Sequence, residues 1–508
     1  MADNSRNSKR IAKNTIFLYM RMLLIMVVSL YTSRVILQTL GVEDFGIYNV
    51  VGGLAASFAF FSSSLSNATQ RFLNFELGKN DSQGANRVFC LSFFIYIVII
   101  IAVVIIAEII GIWMINYKLI IPAERLVAAN WVFHTTVIGL AVTLISSVFD
   151  SVLIARENMK IYAYISIAEV FLKLFIVYTL NWTDIDKLKL YSILFLLSHT
   201  IVKSISILYS TKMYPECKLK FIWDFKIFKD MFRFIGWNGV GTAVWMINDQ
   251  GINVLLNIFF GPIVNAARGV SVQVSSAVNN FSNNFFTAVR PQIVKSYAAK
   301  DYEYFGKLIN LSSKYSFFLM WLLSLPIIIR CGDILGVWLH EVPDFAVVFV
   351  QWILLYNCVN VLTSPFWSGV QAVGNLKKYI LIGSLVFLMA FPISFIFLKL
   401  GWSPVVVFQV LTIMRIVYLL VTIRIFSQMV KFSVTDYFLQ TIYPILKVLI
   451  LSGVISYIVD HYVVVGFAGI IMMTLICLTI VSISIFVFGM SKRERSFCYN
   501  IIRKRIIK

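Results

Sequence analysis

The sequence predicts an all-α polytopic membrane protein. About fourteen transmembrane helices form two parallel-repeat six-helix lobes around a central cavity, with two extra C-terminal helices. Three observations predict it. First, 59% of the 508 residues are hydrophobic and only 13% are charged, whereas a soluble chain of this length needs far more polar surface to cover its core. Second, apolar runs near the ~20 residues that cross a bilayer recur along the whole chain. Third, the chain resembles itself at a displacement of 220 residues.

The runs and their breaks place helices near 13–37, 43–65, 88–112, 127–153, 161–181, 188–210, 234–259, 264–289, 308–330, 344–370, 379–399, 404–426, 440–460 and 463–489. The first is too long for a signal h-region and lacks an A-x-A-like cleavage site, so it reads as a retained helix. The displacement sets "LGVEDFGIYNVVGG" on "FGPIVNAARGVSVQ", pairing Gly41 with Gly261, Val50 with Val270, Phe61–Ser62 with Phe281–Ser282, Ala68 with Ala288 and Asp81 with Asp301. Each copy runs helix, short Gly-containing turn, polar-rich helix, loop. Copies offset by six helices start from the same side, which is the parallel-repeat arrangement of a transporter. The domains expected are 1–210 (N-terminal lobe), 211–233 (cytoplasmic amphipathic linker), 234–430 (C-terminal lobe), 431–489 (the two extra helices) and 490–508 (basic tail).

The formal charge of +20 is mostly topology. With a cytoplasmic N-terminus, the inside segments hold 30 of the 44 Lys and Arg and the outside segments about six. This asymmetry puts both termini in the cytoplasm and requires no nucleic-acid partner; the tail "KRERSFCYNIIRKRIIK" suits contact with anionic lipid. Six cysteines and four histidines show no metal-ligand spacing, and no cofactor is expected.

Polar residues inside the spans are the candidate site, since charge at membrane depth is costly. In the first helix Asn14, Arg21 and Thr32 lie within about 20° of one another, while Arg34 is rotated by about 140° toward another face. Arg21 reads as cavity-facing, and Arg34 as an interfacial anchor or a contact within its lobe. In the seventh helix Asn238, Thr242, Asp249, Asn253 and Asn257 share a stripe about 100° wide. Asp249 is the candidate for proton or sodium coupling, against the alternative of a structural carboxyl. Arg268, Ser275, Ser276, Asn279 and Asn283 share a face of the eighth helix, as a hydrated wall for hydroxyl-rich cargo or as packing polarity. Lys314 and Arg415 add positive potential in the second lobe, whereas Glu169 and Lys173, at i and i+4, read as a structural ion pair. Lys203 and Lys447 are expected to snorkel, and Glu108 and Asp150 to reach water. A net-positive interior suits an anionic cargo.

"LGVEDFGIYNVVGG" resembles the LG-x-x-x-[FY]-G-[IL]-Y element of the polysaccharide-transporter (Wzx-like) branch of the multidrug/oligosaccharidyl-lipid/polysaccharide exporter superfamily. The helix count, the two lobes and the short loops match as well. The resemblance implies a flippase, not an enzyme. It would move a polyprenyl-diphosphate-linked oligosaccharide across the bacterial inner membrane by alternating access, for O-antigen or capsule biosynthesis. Membrane lipids and polysaccharide assembly proteins are the further partners implied. Arg21, Arg268, Lys314 and Arg415 would balance the diphosphate, and Asn14, Asn253, Ser275, Asn279 and Asn283 would follow the sugars. The alternatives are a multidrug cation antiporter of the same superfamily, which would favour an acidic aromatic cavity, and a membrane polysaccharide polymerase or ligase, which would display a long outer loop.

Overall fold

The computed structural model describes residues 2–79, 81–156, 158–183, 185–220, 224–339, 341–374, 376–496 and 499. The side chains of residues 2–21 and of scattered helical positions fall outside the description. No β-strand occurs among the described residues.

In chain order the helices are α1 (Ala2–Ala56), α2 (Phe60–Gly78), α3 (Ser82–Tyr117), α4 (Leu126–Ala155), α5 (Met159–Thr179), α6 (Lys187–Met213), α7 (Phe225–Phe260), α8 (Pro262–Ala298) and α9 (Tyr302–Ile329). There follow α10 (Cys331–Trp338), α11 (Ala346–Asn360), α12 (Ser364–Val373), α13 (Leu376–Leu388), α14 (Ala390–Lys399), α15 (Val405–Met429), α16 (Val434–Tyr437), α17 (Tyr443–Asp460) and α18 (Phe467–Ser484). Every segment expected from the sequence is met by helix. The second is divided between the end of α1 and α2, the tenth between α11 and α12, and the eleventh between α13 and α14. Ten of the described stretches are long and apolar enough to cross a membrane; α7 and α8, which carry the polar stripes, are not among them.

By its internal contacts the chain divides into two compact units, Met1–Ala266 and Ala267–Lys508. The division leaves α7 with the first unit. Inside a bilayer, helices associate through close packing and hydrogen bonds rather than by escaping water. The first unit shows this in two buried clusters. One joins α2, α3 and α4 through Leu73, Phe89, Tyr96, Leu144 and Phe149. The other joins α1 to α4 through Ile47, Val50, Val51, Val132 and Phe133. In the second unit the Phe349 and Phe408 rings lie 4.3 Å apart, and Phe366 meets Phe426 and Tyr437, each at 5.2 Å.

The repeat read from the sequence recurs in backbone detail. Gly41 breaks α1 with φ 80°, and Gly261, its partner at the displacement, separates α7 from α8 with φ 78°. A side chain is strained in that left-handed region, so both copies use glycine at the turn. Asp81 caps α3 by accepting the Gly84 N–H at 2.8 Å, and its partner Asp301 caps α9 by accepting the Tyr304 N–H at 3.0 Å. Caps of this kind satisfy amides that the helix itself leaves without acceptors.

The other residues of the LGVEDFG element are specific to the first unit. A Cβ on Gly46 would lie 1.9 Å from the Pro262 carbonyl oxygen, so the two segments approach closely only without a side chain there. Asp44 accepts the Arg125 guanidinium, with one contact at 2.7 Å, and Arg125 also reaches Asp186 at 2.8 Å. Burial raises the Asp186 carboxyl, but the Lys189 amide and Arg125 outweigh it and hold its pKa below the ordinary value. The second unit has a comparable knot, in which Arg330 contacts Asp333 at 2.9 Å and Asp460 at 2.5 Å.

Candidate functional site

Among the described residues, each unit has a concavity that holds chemistry. The second unit has a cleft of about 350 Å³ built from α8, the turn after α11, α12, α13 and α15. Arg290 and Arg415 supply its charge, Trp367, Tyr379 and Tyr418 its aromatic wall, and Thr363 and Ser364 its hydroxyls. None of the described lining residues is acidic. Arg415 is held from α15 by Asn360 Oδ1, by Thr363 Oγ1 at 2.9 Å and by the Tyr418 ring, whose centroid lies 4.6 Å from the guanidinium. All three partners are neutral, and the Arg415 Nε is buried without one. Arg290 donates to Gln371 Oε1 at 2.7 Å, again a neutral acceptor. Tyr418 donates to the Tyr379 hydroxyl at 3.2 Å, and Tyr379 packs on Trp367 with centroids 5.7 Å apart. Two positioned guanidiniums without a carboxylate suit a phosphate or diphosphate, which arginine grips in a fork of parallel hydrogen bonds. The aromatic wall suits the apolar face of a sugar or an isoprenoid stem.

The first unit has a smaller pocket, about 230 Å³, closed by α1, α4, α5 and α6. Here the charge is compensated. Lys173 Nζ lies 2.7 Å from Glu169 Oε1, as the i, i+4 spacing predicts, and the His199 ring stands beside them.

Of the residues expected to bind cargo, Arg415 lies in the cleft, and Asn14 and Arg21 lie outside the described side chains. Asn253 is buried in a helix seam: its Nδ2 donates to the Asn49 carbonyl at 3.1 Å, and its Oδ1 accepts from Asn265 at 2.9 Å. Asn257 extends this ladder by accepting the Ile120 N–H at 2.8 Å and donating to Asn265 at 3.0 Å. Ser275 is buried and accepts from Asn279 at 3.2 Å and from Asn357 at 2.8 Å. Asn283 is exposed, and Arg268 is buried with its carbonyl accepting the Ser271 hydroxyl at 2.8 Å. Asp249, half-buried, accepts from Gln250 Nε2 at 3.0 Å. Lys314 is buried with Nζ 2.8 Å and 2.9 Å from the two oxygens of Glu494 in the tail. Lys203, expected to snorkel, instead meets Asp150, itself expected to reach water, at 3.2 Å, and Glu108, part-exposed, also meets His134 at 2.9 Å. In both cases a neighbouring helix offers a partner that a single helix does not reveal.

Arg290, Trp367, Tyr379 and Tyr418 were not singled out from the sequence. Arg290 had a signal: it lies seven residues beyond Asn283 and so about 20° away on the same helix face. Ending the eighth helix at 289 rather than at Ala298 assigned it to a loop. The three aromatics had none, because aromatic residues are abundant throughout the chain.

No protein-family model matches the chain, and no curated protein matches it in sequence. Solved structures do match in three dimensions. The lipid II flippase MurJ, in its inward closed conformation, has a TM-score of 0.69 at 14% identity, covering 93% of this chain and 98% of its own. A multidrug resistance MATE family transporter of the MOP superfamily gives 0.61 in its inward-facing conformation, at 14% identity, covering 79% of this chain and 98% of its own. An outward-facing conformation of such a transporter gives 0.60 at 15% identity, with 82% and 96% covered. At these identities the likeness is one of architecture, and this multi-pass helical chain has the fold seen in MOP-superfamily transporters.

Proposed function

We propose that the protein is a flippase, which moves a polyprenyl-diphosphate-linked oligosaccharide across the bacterial inner membrane by alternating access, with both termini cytoplasmic. The observation that carries this reading is the second unit's cleft. Its two arginines have neutral partners, its walls are aromatic and hydroxylated, and its lining contains no carboxylate. Such a site attracts a diphosphate and repels a drug cation. The shared fold with a lipid II flippase and with multidrug transporters supports transport as the activity, and the cleft's sign of charge favours the lipid-linked anion over the cation. An ion gradient is the energy source in this reading, with Asp249 as one candidate coupling group.

The test is transport in proteoliposomes. A fluorescent polyprenyl-diphosphate oligosaccharide should cross in the wild type, and Arg415→Ala and Arg290→Ala should each slow it by about tenfold or more, as expected for lost charge-assisted hydrogen bonds. A wild-type protein that exports a quaternary ammonium dye and ignores the lipid-linked diphosphate sinks the reading.

A further inference from the structure

The pocket of the first unit contains a histidine whose surroundings are complete only when it carries an extra proton. His199, on α6, has just 15% of its side chain exposed. Its Nε2 lies 2.8 Å from Thr143 Oγ1 on α4, and its Nδ1 lies 3.8 Å from Glu169 Oε1 on α5. Thr143 in turn donates its single hydroxyl proton to the Gly139 carbonyl at 2.8 Å, so toward the ring its oxygen is an acceptor. The imidazole therefore stands between two acceptors. A neutral ring has one N–H and can serve only one of them, whichever tautomer it adopts. In keeping with this, Nδ1 is buried without a hydrogen-bond partner. A protonated ring has two N–H groups, one for Thr143 and one for the carboxylate, after a closure of less than an ångström.

Charge makes the same point. Glu169, Lys173 and a neutral His199 sum to zero, and one proton takes the cluster to +1. Glu169 would then have two cations competing for it, and Lys173 could be released toward the Phe195 ring, which already lies 5.0 Å from its ammonium. Several other titratable groups on the surrounding helices have partners of their own. On α4 and α6, Asp150 is held by Lys203 at 3.2 Å and by Ser206 at 2.5 Å. His134 of α4 pairs with Glu108 of α3, and Tyr48 of α1 packs on Tyr191 of α6 with centroids 5.0 Å apart.

We propose that His199 and Glu169 form a proton-binding site, loaded as the pH falls and unloaded as it rises, whose occupancy drives the transport cycle. The coupling rests on the transporter reading above, whereas proton binding does not. The site's composition is an imidazole and a carboxylate sharing one exchangeable proton, with Lys173 as the displaceable counter-cation.

Two measurements on the full-length protein in liposomes test it. In a ¹⁵N-histidine NMR titration, with His199→Gln identifying the resonance, the His199 ring should pass from one N–H to two as the pH is lowered. Glu169→Gln should move its midpoint down by about one unit or more, and Lys173→Gln should move it up. A ring that stays neutral throughout, or a midpoint indifferent to Glu169→Gln, overturns the site. The wild-type titration decides this even if a variant fails to fold. In the second measurement, the acceleration of cargo transport by an imposed pH gradient should fall about tenfold in His199→Gln and survive in His134→Gln. A gradient response that survives in His199→Gln overturns the coupling. If His199 titrates as expected and the wild type moves no lipid-linked cargo, the cargo reading fails and the proton site stands.

Discussion

In the first unit's pocket, the carboxylate of Glu169 is met by Lys173 one turn away and by the His199 ring beside it. In the second unit's cleft, Arg290 and Arg415 are met by an amide on Gln371, an amide on Asn360, a threonine hydroxyl and a tyrosine face. The first arrangement is close to neutral and changes its charge by one proton. The second carries fixed positive charge, because a guanidinium does not titrate in the accessible range. On the function proposed above, the difference is a division of labour between the two units: a permanent cationic grip for an anion in one, and a charge that can be switched in the other. The backbone tells the opposite story, with Gly41 and Gly261 at matching turns and Asp81 and Asp301 at matching caps. The two copies match at these backbone positions, whereas the two pockets carry different charged residues.

The largest effect that would break this comparison is steric. Gly46 and Ala266 occupy equivalent positions, yet only the glycine faces a carbonyl that a Cβ would strike. Gly46→Ala should cost about 3 kcal/mol, as overpacking against backbone does, and should be visible as a lowered unfolding temperature in detergent. Ala266→Gly should cost about 1 kcal/mol, the propensity of glycine in a helix. Equal effects would remove the asymmetry assigned to the LGVEDFG element.

Next comes the grip. Arg415→Ala should weaken lipid-diphosphate binding by about tenfold to a hundredfold, and Arg415→Lys should recover only part of it, since an ammonium keeps the charge and loses the fork. Full recovery by lysine in a binding titration would mean the cleft senses charge alone.

The turns should behave alike. Gly41→Ala and Gly261→Ala meet no close atoms, with the nearest contact to a Cβ being Ile120 at 3.7 Å from position 261. Each should therefore cost only the strain of a side chain held at positive φ, about 1–3 kcal/mol. Thermal unfolding that separates the two by much more than this would show that the turns are not equivalent.

The smallest effect concerns the tail. Burial raises the Glu494 carboxyl, but the Lys314 ammonium and Ser491 outweigh it, and its pKa lies below the ordinary value. A group depressed on folding stabilises above its unfolded pKa and loses that contribution as pH falls through the folded one. Tail docking should therefore persist through neutral and mildly acidic pH and loosen below the usual carboxylate range. Glu494→Gln should loosen it at every pH. Protease accessibility of the tail measures both, and a tail equally protected in Glu494→Gln would show that the pair does not hold it.

The fold was largely legible in the sequence because the bilayer writes it locally. Crossing a membrane takes a fixed length of apolar residues, and breaking a helix takes Gly, Pro or a cap, so segment positions and the repeat follow from nearest neighbours along the chain. The i, i+4 pair of Glu169 and Lys173 was legible for the same reason. The polar stripes of α7 and α8 announced that those helices do not face lipid, but the stripes did not say what they meet. Asn253 and Asn257 turned out to bind the backbone of Asn49 and Ile120 and the Asn265 side chain, and Lys314 a carboxylate 180 residues away. Those partners lie on other segments of the chain, and one sequence contains no term for which segment comes alongside. The same holds for His199, which becomes a proton site only beside Thr143 and Glu169, and for Arg290 and Arg415, which share a cleft across 125 residues. Helix, span and turn were decided by the sequence itself, since each is an energy of adjacent residues and their solvent. Whether a buried charge is a grip, a switch or a fastening was decided by tertiary packing, because that depends on which partner satisfies it.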